Sequence, residues 1–158
     1  MRGIGSIANR EDTQMLEIMR NVWTVQLNRT TGGPDERQLY IAPGKGTHIV
    51  PFKLKRLFFM ITPSVPGEST QGHAHRKGWQ LHFCTFGKVV FTLNDKVTEK
   101  EVTLEPNGVG LVIGKGVWHS YKMLTSSSLV ALASNSFKET DYIRDFDEFK
   151  TGVHWKKP

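Results

Sequence analysis

The sequence predicts an all-β domain, a small β-barrel followed by a short C-terminal α-helix. Its 158 residues match one domain and can bury one proper core without disulfides or structural metal. From Gln38 to Ala133 short β-rich runs alternate with turn residues at spacings of about 8–12, the signature of a sandwich or barrel. The end of the chain changes period: Lys138 to Lys150 has no glycine or proline, and Tyr142, Ile143, Phe146 and Phe149 fall at helical spacing.

Residues 1–15 are polar and irregular and read as a flexible segment, with the domain proper over 16–150 and a tail over 151–158. Residues 16–33 are ambiguous; within them Val22-Trp23-Thr24-Val25-Gln26-Leu27 reads as a strand and Thr31-Gly32-Gly33-Pro34 as a turn. Gln38–Ile41 precedes Pro43-Gly44, and Leu54–Ile61 precedes the turn-rich Thr62–Gly67. Gln80–Phe86 stops at Gly87, Val89–Leu93 at Asn94-Asp95, and Val97–Leu104 at Pro106-Asn107-Gly108. Val109–Ile113, Val117–Met123 and Leu129–Ala133 complete the series. Ser136 or Thr140 is positioned to cap the final helix, whose early Asp and Glu suit the helix dipole.

Composition narrows the function. A hydrophobic fraction of 38% and a charged fraction of 23% are those of an ordinary globular protein. No apolar run approaches the roughly 18 residues that span a bilayer, and Asn9, Arg10, Glu11 and Asp12 leave no room for a signal-peptide core. The expectation is a cytoplasmic protein without a membrane partner. Cys84, alone of its kind, sits in an apolar run and packs as a small hydrophobe. The net charge of +6 is spread over scattered lysines and arginines with no arginine-rich run, which disfavours nucleic acid and favours an anionic small ligand.

Two stretches carry chemistry. The first runs from Gly67 through His73-Ala74-His75 and Gln80 to Gly87; the second runs from Gly108 through Gly114-Lys115-Gly116 to His119. Residues two apart on a strand share a face, so His73 and His75 project side by side, as do Gln80, His82 and Cys84 on the next run. His48 and His154 read as ordinary, partly exposed histidines, and Trp118, Tyr142, Phe146 and Phe149 as core. Arg144 reads as a surface ion pair of little weight.

The two stretches resemble the paired motifs of the cupin superfamily, which implies a small cupin, jelly-roll-like barrel. Gly67, His73, His75 and Gly87 fit the first motif, with Gln80 in place of its glutamate. Gly108, Gly116 and His119 fit the second, with Gly114 in place of its proline and Met123 in place of its asparagine. Fold-level likeness leaves function open. Glutamine is a poorer ligand than glutamate, so a metal is not expected, although three imidazoles remain available to one.

A narrower resemblance covers roughly residues 36–150. Lys55-Arg56 before an aromatic pair, His73-Ala74-His75, Gln80, Val117-Trp118-His119, Leu132-Ala133-Ser134 and Asp141-Tyr142-Ile143-Arg144-Asp145-Phe146-Asp147-Glu148-Phe149 resemble the nucleotide-linked sugar 3,4-ketoisomerases, the WxcM-like or FdtA/QdtA family. The resemblance implies an isomerase that moves the keto group of dTDP-4-keto-6-deoxyglucose, or a related nucleotide-linked sugar, from C4 to C3 for deoxysugar biosynthesis. It also implies a homodimer without cofactor, with His73 and His75 as the catalytic acid/base groups. Arg56, Phe58, Gln80, His82, His119 and Tyr121 are then the expected substrate-binding residues.

The chemistry suits the residues. The shift removes the C3 proton and delivers one to C4 through an enediol(ate), and histidine titrates near neutrality and serves both directions. Gln80 or His119 can donate to the developing oxyanion. Two departures stand out: Phe58-Phe59 where the family has a tyrosine pair, and Thr70-Gln71 where it has an arginine. Two other readings stay open, a metal-dependent cupin enzyme and a non-catalytic nucleotide-sugar binder.

Overall fold

The computed structural model describes residues 15–26, 29–31, 37–39, 52–61, 67–106, 108–124 and 126–152. The expected flexible start, the last residues of the tail, the turns at 32–34 and 43–44, His48 and His154 lie outside the described residues. In chain order the strands are β1 (Met15–Met19), β2 (Val22–Gln26), β3 (Arg29–Thr31), β4 (Arg37–Leu39), β5 (Arg56–Ile61), β6 (Ala74–His75) and β7 (Gln80–Phe86). They continue with β8 (Val89–Asn94), β9 (Glu99–Leu104), β10 (Val109–Ile113), β11 (Trp118–Met123) and β12 (Ser128–Ala133). A 3-10 turn (Glu139–Asp141), β13 (Tyr142–Ile143) and helix α1 (Phe146–Thr151) follow.

The strands form a six-stranded sheet in the order β1-β2-β10-β7-β12-β5 and a three-stranded sheet in the order β11-β8-β9, with two-stranded pairs β13-β6 and β3-β4. Among the described residues every pairing is antiparallel, and the sheets are not joined into a closed hydrogen-bonded ring. Alternation along each strand builds the core. Val89, Phe91 and Leu93 from the small sheet meet Val22, Cys84, Leu111, Ile113 and Leu129 from the large one. The other face of the large sheet carries Val25, Leu81, Val112 and Leu132 under Trp23 and Trp79, whose rings stack 5.3 Å apart.

The motif glycines mark turns that only they make easily. Gly67, Gly87, Gly108 and Gly116 all adopt φ between 75° and 87°, the left-handed region that a side chain disfavours. Gly114 differs. Its N–H donates to the Asn21 carbonyl at 2.7 Å, a bond that the proline of the cupin pattern cannot make.

The expected helix over Lys138–Lys150 is corrected. Only Phe146–Thr151 is α-helical, capped by the Asp145 carboxylate, which accepts from the Glu148 N–H at 2.6 Å, and ended by Gly152 at φ 67°. Tyr142 and Ile143 form a strand pairing with His75 and Ala74. The apolar spacing that mimics one long helix is a strand followed by a short helix, each burying one aliphatic or aromatic side chain: Ile143 and Phe149 pack with Ala74.

Candidate active site

The first motif lies along β11. His73 and His119 exchange both backbone hydrogen bonds, at 3.1 and 2.9 Å, and the His75 carbonyl accepts from Gly116. The approach is close: a Cβ on Gly72 would sit 2.3 Å from the Trp118 indole nitrogen, so glycine is required there. Ala74 then points toward Ile143 and Phe149, and His73 and His75 point to the opposite side, as their spacing predicts.

Four imidazoles gather in the interior. The His73 ring lies 5.1 Å from that of His75, edge-on, and 4.4 Å from that of His119. His119 lies 5.8 Å from His75 and 6.2 Å from His82. His75, His82 and His119 are buried, and His73 is half-buried. Burial disfavours the charged form and each ring disfavours a charge on its neighbours. Burial, then His119 and His75, lowers His73 to about 2, and burial followed by His75 lowers His119 to about 3. Burial also drives His82 well down. For His75 burial again dominates and lowers its pKa, opposed by the adjacent Asp141 carboxylate.

A hydrogen-bonded chain crosses the cluster. The Asp141 Oδ2 lies 3.1 Å from His75 Nδ1; His75 Nε2 lies 3.0 Å from the Gln80 amide nitrogen; the Gln80 amide oxygen lies 2.9 Å from His82 Nε2. Gln80 is itself buried on the interior face of β7. Asp141 is held in turn by the Lys77 backbone N–H at 2.8 Å and the Asn135 amide at 3.3 Å. Across the cluster the His119 Nδ1 contacts the Val117 carbonyl at 3.1 Å, and its buried Nε2 has no partner among the described residues.

The remaining expected residues surround this chain. Arg56 on β5 donates to the Tyr142 hydroxyl at 3.3 Å and spreads its guanidinium 5.0 Å from the Phe58 ring. Tyr121 is one step removed: its ring packs on Phe91, and Phe91 on His82. Thr70, at a departure from the family pattern, serves the backbone, exchanging bonds with the main chain of Tyr121. Asp141 and Tyr142 were not among the expected site residues. The Tyr142 ring lies 4.5 Å from that of His75 and 5.1 Å from that of His73, because β13 pairs with β6. Their only signal in sequence is membership of the distinctive 141–149 run, which helical spacing disguises.

Ring nitrogens of His73, His75 and His119 come within 4.8 Å of one another, the arrangement of a three-histidine cation site. The donor set does not fit one as it stands. Both nitrogens of His75 are engaged, one by Asp141 and the other by an N–H of Gln80, which no ligand lone pair can share with a metal. Beside the cluster a cleft of about 340 Å³ is lined by Lys55, Arg76, Lys77 and Lys138 and meets the chain at Asp141.

Known proteins place this geometry in context. The profile of a family described as FdtA: WxcM-like, C-terminal, matches residues 25–154. Over 103 residues, 64% of this chain and 73% of the relative, the sequence is 38% identical to a TDP-4-oxo-6-deoxy-alpha-D-glucose-3,4-oxoisomerase of Aneurinibacillus thermoaerophilus. The 3,4-ketoisomerase QdtA from Thermoanaerobacterium thermosaccharolyticum, solved as a histidine-to-asparagine mutant in complex with TDP-4-keto-6-deoxyglucose, superposes with a TM-score of 0.77 at 28% identity, covering 86% of this chain and 96% of that one. The WlaRB TDP-quinovose 3,4-ketoisomerase from Campylobacter jejuni gives 0.75 at 26%, covering 84% and 99%.

Proposed function

The chain belongs to the FdtA family of WxcM-like, C-terminal domains, and from that membership and the histidine cluster we propose a sugar-nucleotide 3,4-ketoisomerase. Its substrate is TDP-4-keto-6-deoxyglucose or a related nucleotide-linked 4-keto sugar. The observation that carries this reading is the pair His73 and His75, neutral and adjacent, with the ring of His73 half-buried and that of His75 buried.

His73 and His75 are the acid/base pair, His73 turning uncommitted ring nitrogens to the sugar and His75 standing beside it within the hydrogen-bonded chain. A neutral imidazole accepts the C3 proton, and the electron pair left behind forms the C3–C4 double bond while the C4 carbonyl oxygen becomes an enediolate oxygen. Return of a proton to C4, with loss of the O3 proton and gain of one at O4, leaves the ketone at C3. Nothing is oxidised overall. A base as suppressed as free His73 gains proton affinity when a dianionic diphosphate and a developing enediolate arrive beside it. Arg56 stands next to the pair as a fixed cation, Phe58 supplies apolar wall, and Tyr121 backs Phe91 from outside the cluster. His119, with Gln80 and His82 behind it, lines the deep side. The lysine-rich cleft provides charge for the diphosphate, as a phosphate-binding surface requires.

We further read the enzyme as a cytoplasmic homodimer. Leu57, Phe59 and Ile61, on the outer side of the edge strand β5, are 50%, 65% and 77% exposed, an apolar row that a second copy would cover. Incubation with TDP-4-keto-6-deoxyglucose in heavy water, followed by NMR of the sugar protons, tests the reaction. Deuterium entry with a 3-keto product supports it; binding without exchange reduces the protein to a sugar-nucleotide binder.

A further inference from the structure

An amide is directional: its nitrogen only donates and its oxygen only accepts. Gln80 lies between two buried imidazoles, so its orientation dictates which nitrogen of each carries a proton. With neutral rings and an Asp141 carboxylate, only one arrangement gives every contact a donor and an acceptor. With the amide nitrogen toward His75, that ring accepts at Nε2, keeps its proton on Nδ1 and donates it to Asp141. The amide oxygen then accepts from His82 Nε2–H, and the bare His82 Nδ1, which has no partner among the described residues, needs none as a lone pair.

The reversed amide fails on two counts. His75 would have to donate from both nitrogens and so become a buried cation beside two other imidazoles. His82 would have to carry its proton on Nδ1, where no acceptor exists among the described residues. An unsatisfied buried donor costs about 1–3 kcal/mol. His73 is different: its ring lies against those of His75, His119 and Tyr142, and among the described residues its nitrogens make no hydrogen bond.

We propose that Gln80 and Asp141 are positioning residues that lock His75 as the neutral Nδ1–H tautomer, and that this lock leaves His73 to exchange the carbon-bound proton with the sugar. The inference deepens the isomerase reading and rests on it for the role of His73. It also gives the departure from glutamate at position 80 a purpose. A glutamate there would accept from His75 Nε2, and with Asp141 on the other side would make His75 an imidazolium. That charge, 5.1 Å from His73, would oppose the proton His73 has to take.

The test is ring-nitrogen NMR of full-length, chelator-treated protein labelled with ¹⁵N-histidine at pH 7, assigned by single-histidine replacements. His75 is expected with Nδ1 protonated and Nε2 bare, and His82 with the reverse. Gln80→Glu is expected to give His75 an imidazolium pattern, and both Gln80→Glu and Asp141→Asn to lower kcat about ten- to a hundredfold with little change in KM. An imidazolium or Nε2–H pattern at His75 in the unmodified protein overturns the proposal, as does a Gln80→Glu ring spectrum unchanged from it. These readings need no substrate, so a protein that fails to isomerise any keto-sugar would sink the functional reading while the lock is judged separately.

Discussion

A buried imidazole that stays neutral is available as a base at pH values where an exposed histidine is already charged. His73, brought down to about 2 by burial and by its neighbours, therefore loses no base form between pH 8 and pH 5. The kcat/KM profile of the isomerase is expected to lack the acidic limb near pH 6.5 that an ordinary histidine produces. A limb at 6.5 that disappears in His73→Asn would show that the ring titrates normally. His73→Asn itself is expected to lower kcat by about 10²- to 10⁴-fold, the span of general acid–base catalysis. The same neutrality sets acid stability. Groups with a folded pKa below the unfolded value of roughly 6.5 keep their full contribution above that pH and lose it as pH falls toward the folded value. For His82 and His119 the loss is expected to be about 1 kcal/mol each between pH 7 and pH 5.5, readable as a falling urea midpoint. A midpoint flat over that range would contradict the assignment.

At the scale of elements, β7 to β10 were legible because their ends lie at turns such as Gly87, Asp95 and Gly108, while β1, β3, β6 and β13 carried no such pattern. The run expected from Val97 begins at Glu99 because the Asp95 carboxylate accepts from the N–H groups of Val97 and Thr98 and fixes the turn. The histidine cluster was legible from period-2 alternation and two motif spacings. Asp141 was not, because its importance comes from a partner 66 residues away, and a local pattern cannot show a pairing that distant. The helix was overcalled because Tyr142, Ile143, Phe146 and Phe149 satisfy helical spacing while belonging to β13 and α1. The true arrangement predicts that the helix supports catalysis through β13. Phe149→Ala empties a site shared with Ile143 and Ala74 and is expected to cost about 3–5 kcal/mol. It should also lower kcat at temperatures where the variant remains folded, because β13 carries Tyr142 and follows directly on Asp141. Unchanged kcat in a destabilised but folded variant would show that β13 holds its place without α1.

The whole molecule is a two-sheet body with chemistry on the inside and an apolar row along one outer edge. Phe59→Asp combined with Ile61→Lys places charges on that row without touching the interior side of β5. Light scattering is expected to show a dimer for the unmodified protein and a monomer for the double variant. A monomer in both cases would leave the exposed row to some other partner.

The capped lone pair of His75 bears on the chemical repertoire open to this chain. Three imidazoles already converge, and the Gln80 amide covers the one His75 lone pair that a cation would need. Glutamine and glutamate codons differ by a single first-position base. In this chain the charge state of the whole histidine cluster is therefore one nucleotide away from change, and mutational drift reaches that change without rebuilding the scaffold.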